Sequence, residues 1–454
     1  MAGLLRQGRG EQDEEDEKDK KDKENEEEQA SADRAGWPIK LRSLTRCVKY
    51  ATGIGENGPM AASDVVEQQE QPWSRQRLRS TNERLLLDRL RALGSASRAQ
   101  LARETGLSKP TVSSALASLE SAGLVHEVGT HAPERGRTAV LYAPDPAAGY
   151  ALGIDVGRGW LRVAVADLDG TLVARSDVRN RARGSGAMAD LLVGTARQVV
   201  ANSGVDPAAV VHGVVGTPGV YDERQRRVRY AMHLPGWGRA GLFDRMRAEL
   251  GVPLEVHNDA NLAALGEYTY GVGAGSRLFA YIMIGTGLGM GVVSEGRPFT
   301  GAHGLAGEIG FLPWPGQQRK PERLEDAVSG VAVVETARRL GMTGQLTAKS
   351  VFDAARQGDQ AAVEAVRLEG ERIAHTVAAA AAVLDPDLVV LGGGVGHSVD
   401  LLLRPVRDHL RTLTPLRPKL APSRLGEDAV LLGAVATALG TARDLVFERR
   451  SVAS

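Results

Sequence analysis

Between residues 80 and 142 apolar side chains recur first at helical and then at alternating spacing, and capping and turn residues divide the pattern. Ser80-Thr-Asn-Glu83 has the form of a capping box and opens a helix to Leu93, where Gly94 stops it. Ser97-Arg-Ala-Gln100 repeats the device and opens a second helix that ends at Gly106. Ser108 caps a third, and Pro110 fits there because it lies in the first turn. Val112, Ala115, Leu116 and Leu119 form the buried stripe of this third helix. Its opposite face, Pro110, Ser114, Ala117 and Ser121 with Lys109, Thr111, Ser113 and Ser118 alongside, is small and polar. A strand starts at Leu124-Val125, turns through residues 131–137 and returns over residues 139–142. Residues 144–149 read as a linker. Beyond them short Val, Ile and Leu strands alternate with Ala-rich helical stretches, the pattern of an α/β fold with crossover connections. Gly-rich turns after strands at 153–159 and 285–291 predict a duplicated, two-lobed body.

Composition adds a boundary at the N-terminus. The 454 residues carry 56 Lys and Arg against 56 Asp and Glu, with 43% hydrophobic residues, 25% charged and 4% aromatic. Such a length predicts two or three folded units with an aliphatic core. The neutrality conceals an asymmetry: residues 1–35 hold 13 acids and 7 basic residues and almost nothing apolar. That stretch cannot bury enough surface to offset its ordering entropy, so residues 1–73 read as a disordered charged tail. Patterned sequence begins soon after Met60, which offers an alternative start. Residues 74–142 reverse the balance, with 11 Lys and Arg against 6 Asp and Glu. One cysteine, Cys47, excludes a disulfide scaffold and a Cys-rich zinc site. No long apolar run and no signal-peptide pattern are evident, so no membrane partner and a cytoplasmic location are expected.

The basic segment, residues 74–143, therefore reads as a winged helix-turn-helix that binds DNA. Its third helix can enter a major groove about 12 Å wide without bulk. Arg98 and Lys109 are assigned to phosphates, Thr111 and Ser114 to base edges with Ser113 beside them, and Arg135 and Arg137 to the wing tip, against phosphates or a narrow minor groove. The alternative is a three-helix protein-interaction module whose basic surface serves solubility.

Four clusters mark the body, residues 150–454. Gly153-Ile-Asp-Val-Gly157 puts Asp155 and Gly157 on a turn that can hold a metal or orient phosphates. Ile284-Gly-Thr-Gly-Leu-Gly-Met-Gly291 lets backbone N–H groups approach an anion, with the Thr286 hydroxyl as an added donor. Asp387-Leu-Val-Val-Leu-Gly-Gly-Gly-Val-Gly396 ends a strand in a Gly-rich turn, where α/β proteins place nucleotides. In His257-Asn-Asp-Ala-Asn261 and Gly307-Glu-Ile-Gly310, Asn258, Asp259 and Glu308 can bond vicinal hydroxyls, and Asp259 can take a proton from one. Each also has a plainer reading: the glycines as ordinary turns, Asp259 as a helix cap, Glu308 as a surface acid.

Taken together these motifs resemble the ROK family (repressor, open reading frame, kinase). The resemblance covers roughly residues 75–445. It rests on SRAQLARETGLSKPTVSSALASLESAGLV in the first part and on GIDVG, GTPG, NDANLAALGE, GTGLGMG, GLAGEIG and VVLGGGVG in the second. It implies a two-lobed actin-like ATPase (ribonuclease H-like) fold behind the winged helix, and points to the repressor branch. It implies that Asp259 stands at the kinases' general base, and that Asn258, Glu308 and Glu325 stand at sugar-contacting positions. Gly285, Thr286, Gly287 and Gly289 correspond to the second phosphate motif, and Gly392, Gly393 and Gly394 to the adenosine motif.

Two departures shape the expected function. The family's kinases carry Asp-x-Gly-Gly-Thr in the first phosphate loop, where this chain has Asp155-Val-Gly-Arg-Gly159. The loop loses a hydroxyl donor, and one well-placed contact is worth about 1–3 kcal/mol. Arg158 can itself pair with phosphate, so ATP remains a possible ligand, though no cofactor is required. The family's Gly-Glu-Ile-Gly-His also ends here in Phe311, and the Cys-x-Cys segment that binds zinc is missing, so no metal is expected. The expectation is a sugar-responsive DNA-binding repressor, acting as a homodimer or higher oligomer on operator DNA with a sugar or sugar-phosphate effector. The alternatives are an active ATP-dependent sugar kinase with an accessory DNA-binding module, and a scaffold that has lost ligand binding.

Overall fold

The computed structural model describes residues 75–131, 138–232, 234–314, 322–396 and 398–452, all within one compact unit. The acidic tail and the tip of the wing lie outside the described residues.

The head opens with α1 (Arg75–Leu93), followed by β1 (Ala96–Ser97), α2 (Arg98–Thr105), α3 (Lys109–Ser121), β2 (Val125–His131) and β3 (Ala139–Pro144). Helix α1 starts before the expected cap at Ser80. Glu83, which a capping box would fold back onto the Ser80 N–H, is instead held by Arg79 at 3.0 Å, an i,i+4 pair that supports continuation of the helix. The other caps match the expectation. Ser97 Oγ accepts from the Gln100 N–H at 3.2 Å, and Gly106 ends α2 in the left-handed conformation (φ 72°). Ser108 Oγ accepts from the Thr111 N–H at 3.3 Å. Val112, Ala115, Leu116 and Leu119 are all buried. The three strands form one antiparallel sheet, order β1-β3-β2.

Residues 144–149, read as a linker, form a capped turn. Pro144 closes β3, Asp145 caps a 3-10 turn over Pro146–Ala148, and Ala148 is buried.

The body contains two five-stranded sheets. The first uses β4 (Tyr150–Val156), β5 (Trp160–Asp167), β6 (Leu172–Arg179), β7 (Val210–Thr217) and, after the small hairpin β8 (Val220–Asp222) and β9 (Arg227–Arg229), β10 (Leu254–Asn258). Helices α4 (Ser185–Ser203), α5 (Leu242–Leu250) and α6 (Asp259–Tyr270) belong to this lobe. Strand order is β10-β7-β4-β5-β6, with β4, β5 and β6 antiparallel and β4, β7 and β10 parallel. Every residue of β7 is buried, as a parallel strand covered on both faces requires.

The second sheet repeats this plan. It uses β11 (Leu278–Ile284), β12 (Leu288–Ser294), β13 (Arg297–Pro298), then β16 (Leu388–Gly392) and β17 (Lys419–Pro422), in the order β13-β12-β11-β16-β17. Between them lie a 3-10 turn (Ile309–Phe311), the short β14 (Pro313–Trp314) and β15 (Glu322–Arg323), and helices α7 (Leu324–Ala327), α8 (Gly330–Arg339), α9 (Ala348–Arg356) and α10 (Gln360–Leu384). Helices α11 (Gly393–Gly396) and α12 (Val399–Leu413) precede β17, and α13 (Ala429–Val452) follows it. An antiparallel hairpin beside two parallel crossover strands thus occurs twice, and the duplication expected from the two glycine turns is present.

Helices α6 and α13, each following the last strand of its sheet, pack against one another at close range. A β-carbon on Gly266 would stand 3.1 Å from the Gly433 nitrogen, and one on Gly433 would stand 2.6 Å from the Leu262 carbonyl carbon. Helix α13 is long and apolar enough to cross a membrane by length and composition alone. Most of it is buried inside the protein, with Leu431, Ala434, Val435, Ala438, Leu439 and Ala442 in the core. Its last turns enter the head, where Val446 and Phe447 share one buried cluster with Leu86, Leu87 and Leu90.

Candidate functional site

The turn from β10 into α6 presents Asn258 and Asp259 on consecutive backbone positions. Asn258 is the N-cap: its Oδ1 accepts from the Asn261 N–H at 3.1 Å, and its Nδ2 donates to the Gly219 carbonyl at 3.2 Å. Asp259 begins the helix, and its Oδ1 accepts from the Ala260 N–H at 2.8 Å. Burial raises the Asp259 carboxyl to about 7, with the charges of Asp155 and Glu308 adding to the effect. Glu308 is raised by burial and then by Glu325. Glu325 Oε2 in turn accepts from the Leu288 N–H at 3.4 Å. Asp155, Asp259, Glu308 and Glu325 therefore form an electrostatically linked row, drawn from β4, α6, the loop before the 3-10 turn and α7. Helix α6 does use Asn258 as its cap, but a cap alone does not explain a half-buried acid beside two others.

Asp155 also has a cationic partner. Arg162 of β5 donates from Nη1 to Asp155 Oδ2 at 3.1 Å, and both side chains are buried. Arg162 also pairs with Glu427, in the 3-10 turn just before α13, and lies 3.6 Å from Asp177. Burial lifts the Asp155 carboxyl to about 6 even though Arg162 opposes it. The carboxylate expected to orient phosphate or metal is committed to an internal cation.

The glycines divide into two kinds. Gly285, Gly287 and exposed Thr286 form the turn between β11 and β12, where the Gly285 N–H donates to the Gly287 carbonyl at 2.9 Å. A β-carbon on Gly285 or Gly394 would meet nothing within 4 Å, so backbone there is open to approach. Gly289, Gly392 and Gly393 are small for packing. A β-carbon on Gly289 would be 3.2 Å from Ala260 Cβ, and one on Gly393 2.5 Å from the Ile284 carbonyl oxygen. Gly392 lies against the Tyr281 hydroxyl. Gly157 packs on its own turn, its N–H donating to Trp160 O at 2.9 Å. Arg158 and Gly159 are exposed.

Phe311 takes part in an aromatic contact between the two lobes. Its ring meets Tyr230 of the first lobe edge to face, centroids 5.6 Å apart. The Arg323 guanidinium stands 5.8 Å from the Phe311 ring centre, and Arg323 Nη1 is 3.5 Å from Met232 Sδ. Tyr230 holds a left-handed backbone conformation (φ 64°), uncommon for an aromatic residue. Sequence reading missed Tyr230, Met232, Arg162 and Arg323; none lies in a motif, and only the fold brings them to the site.

The family's zinc does not fit here. The sequence from 311 to 323 contains no cysteine and no histidine. Among the described residues no group of three or more His, Cys, Asp or Glu side chains is arranged to hold a metal ion.

On the head, Lys109, Ser113, Ser114 and Ala117 are exposed along α3. The Thr111 hydroxyl lies 2.8 Å from that of Ser108, inside the cap. Arg98 is exposed; its guanidinium bonds the Tyr142 hydroxyl and lies 4.8 Å from the Tyr142 ring centre. Tyr142 passes the bond on to Glu127 at 3.0 Å, so Arg98 braces the sheet. Arg135 and Arg137 lie outside the described residues.

Comparison with known proteins agrees with this architecture. Residues 151–441 match the ROK family and residues 80–137 the MarR family. A glucokinase from Halalkalibacterium halodurans is 29% identical over 62% of this chain and 92% of its own. The xylose repressor of Bacillus spizizenii is 28% identical over 52% of this chain; the match spans 61% of that repressor. The crystal structure of a ROK family transcriptional regulator, a homologue of the E. coli MLC protein, superposes with a TM-score of 0.68 over 83% of this chain and all of its own, at 22% identity, a likeness of fold. With a MarR-type winged helix ahead of a duplicated two-sheet body, the chain belongs to the ROK family.

Proposed function

We propose that the protein is a DNA-binding transcriptional repressor whose operator affinity is set by a sugar or sugar derivative held in the cleft. In this reading Asn258, Asp259, Glu308 and Glu325 bond the ligand's hydroxyls, while Phe311 and Tyr230 give one wall an apolar face. Lys109, Ser113 and Ser114 of α3, with the wing arginines Arg135 and Arg137, contact DNA in the cytoplasm, and two heads of a homodimer read two half-sites. The observation that carries the proposal is the Arg162–Asp155 pair. It commits the carboxylate of the first phosphate loop, in a chain whose head is joined to the body by shared core.

Helix α13 supplies the route between the two. The 3-10 turn just before it is tied to the lobe through Glu427 and Arg162, and at its end Arg450 donates to Ala122 O at 3.1 Å, Gly123 O at 2.9 Å and Ala148 O at 2.6 Å. Arg84 of α1 pairs with Asp444 on the same helix. A helix of 24 residues spans about 36 Å, so a change of lobe closure at one end is transmitted to the head at the other. Typical couplings of about 1–3 kcal/mol alter affinity roughly 5–150-fold.

The test is operator binding by fluorescence anisotropy across a panel of sugars and sugar phosphates, paired with a sugar-dependent ADP-release assay. An effector that shifts operator affinity without ADP release supports the proposal; steady turnover of ATP with a sugar overturns it. The second reading, an active sugar kinase carrying an accessory head, is favoured by one observation: Asp259, raised to about 7, is poised to take a hydroxyl proton near neutral pH. Gly285, Thr286, Gly287 and Gly394 are the positions at which that reading would place phosphates.

A further inference from the structure

The second lobe carries an imidazole pair that neither the cleft nor the head uses. His375 projects from α10 and His409 from α12, and their Nε2 atoms stand 3.4 Å apart. The two helices pack tightly just before the pair. A β-carbon on Gly370 would lie 2.5 Å from Pro405 Cβ, so the backbones are in near contact one turn away and the histidines are held in register. His375 is exposed and the His409 side chain keeps 26% of its surface, so the pair is open to solvent. Trp314 closes one side, its ring edge to face with His375 at 5.1 Å.

The two rings share a hydrogen bond in which either Nε2 can donate, and their spacing is also that of two ligands on one ion. Two imidazole nitrogens bound tetrahedrally at ordinary metal–nitrogen distances lie about 3.4 Å apart, with ring centroids about 5.2 Å apart. The observed centroid separation is 5.3 Å with the rings inclined at 57°. A collinear N–H···N hydrogen bond at the same nitrogen separation would place the centroids about 5.7 Å apart. The rings are thus bent away from a collinear arrangement, at a separation that two ligands of one ion also have. The other nitrogen of His409, Nδ1, faces Glu371 Oε1 at 3.9 Å, and Arg367 holds that carboxylate.

We propose that His375 and His409 form a surface site for a borderline transition-metal dication, Zn2+, Ni2+ or Cu2+, which clamps α10 to α12. Imidazole donors select these ions over Mg2+ and Ca2+, and water completes the coordination. The residues are separate from the family's cysteine zinc segment and from the sugar cleft.

Full-length protein is titrated with NiCl2 and with ZnCl2 by calorimetry in a non-chelating buffer, alongside His375→Ala, His409→Ala and, as a control on the head, His126→Ala. The expected result is one saturable site that each of the first two substitutions weakens at least tenfold and His126→Ala leaves unchanged. A tenfold excess of Mg2+ leaves the binding isotherm in place. The Cu2+ complex, read by electron paramagnetic resonance, shows coupling to two nitrogens. The proposal is overturned if wild type takes up no metal at millimolar concentration. It is equally overturned if His375→Ala and His409→Ala bind as wild type does, which would locate the metal elsewhere in the chain, or if the copper spectrum lacks two-nitrogen coupling.

Discussion

At the residue scale the candidate site is a place where half-buried carboxylates stand close to one another. Asp259 shows what this does to stability. Its carboxyl rises from an ordinary 3.8 to about 7 on folding, so the native state holds the proton more tightly than the unfolded chain. Its contribution is therefore full below about pH 4 and is lost as pH rises through about 7. Asp259→Asn removes that loss. The variant should be more stable than wild type at pH 8 by about 1–3 kcal/mol, with the difference closing toward pH 4, read from urea denaturation at a series of pH values. An equal pH dependence in the two proteins would place Asp259 in contact with solvent. The sequence named Asp259, Asn258 and Glu308 from motif chemistry alone. It did not name Arg162, because the ion pair with Asp155 depends on two strands meeting in antiparallel register.

At the element scale helix α3 and the capping residues were the most legible part of the chain. Ser97, Gly106, Ser108 and Pro110 act through bonds to neighbours within a few positions, and such bonds can be read from spacing. The start of α1 was misplaced because Glu83 had two partners within reach, and sequence spacing cannot tell whether Arg79 or the Ser80 backbone wins. The same limit applies to Arg98, whose partner Tyr142 lies on the returning wing strand. Helix α3 gives the prediction of this scale. Ser114 is exposed on a face built of small side chains, so Ser114→Ala should leave the melting temperature unchanged and relax discrimination between operator and mismatched duplex by about 1–3 kcal/mol in competition binding. Retained discrimination would remove Ser114 from the base-reading surface.

At the scale of the whole molecule, head and body are parts of one packed structure. The boundary that proline and glycine suggested at residues 144–149 is a capped turn, held at the Ala148 carbonyl by Arg450. Arg450→Ala should leave effector affinity within twofold of wild type while the effector-induced change in operator affinity falls by at least fivefold, measured as operator Kd with and without effector. Full coupling in this variant would rule out the end of α13 as the route. The helix also shows why composition misleads at this scale. Its apolar run answers to α6 and the head core, and the same run in isolation has the character of a membrane segment.

What the sequence determined by itself was everything written in local or repeated form: the order of elements, the helix caps, the two-lobed duplication and the set of motif residues that place the chain in its family. The tertiary structure decided which of those residues are available. It committed Asp155 to Arg162, assigned Gly289, Gly392 and Gly393 to packing, brought Tyr230 to Phe311 and His375 to His409, and drove α13 into the head. Each of these pairs joins positions on different elements. The chemistry of such a pair depends on burial and distance, and neither has a value until the chain has folded.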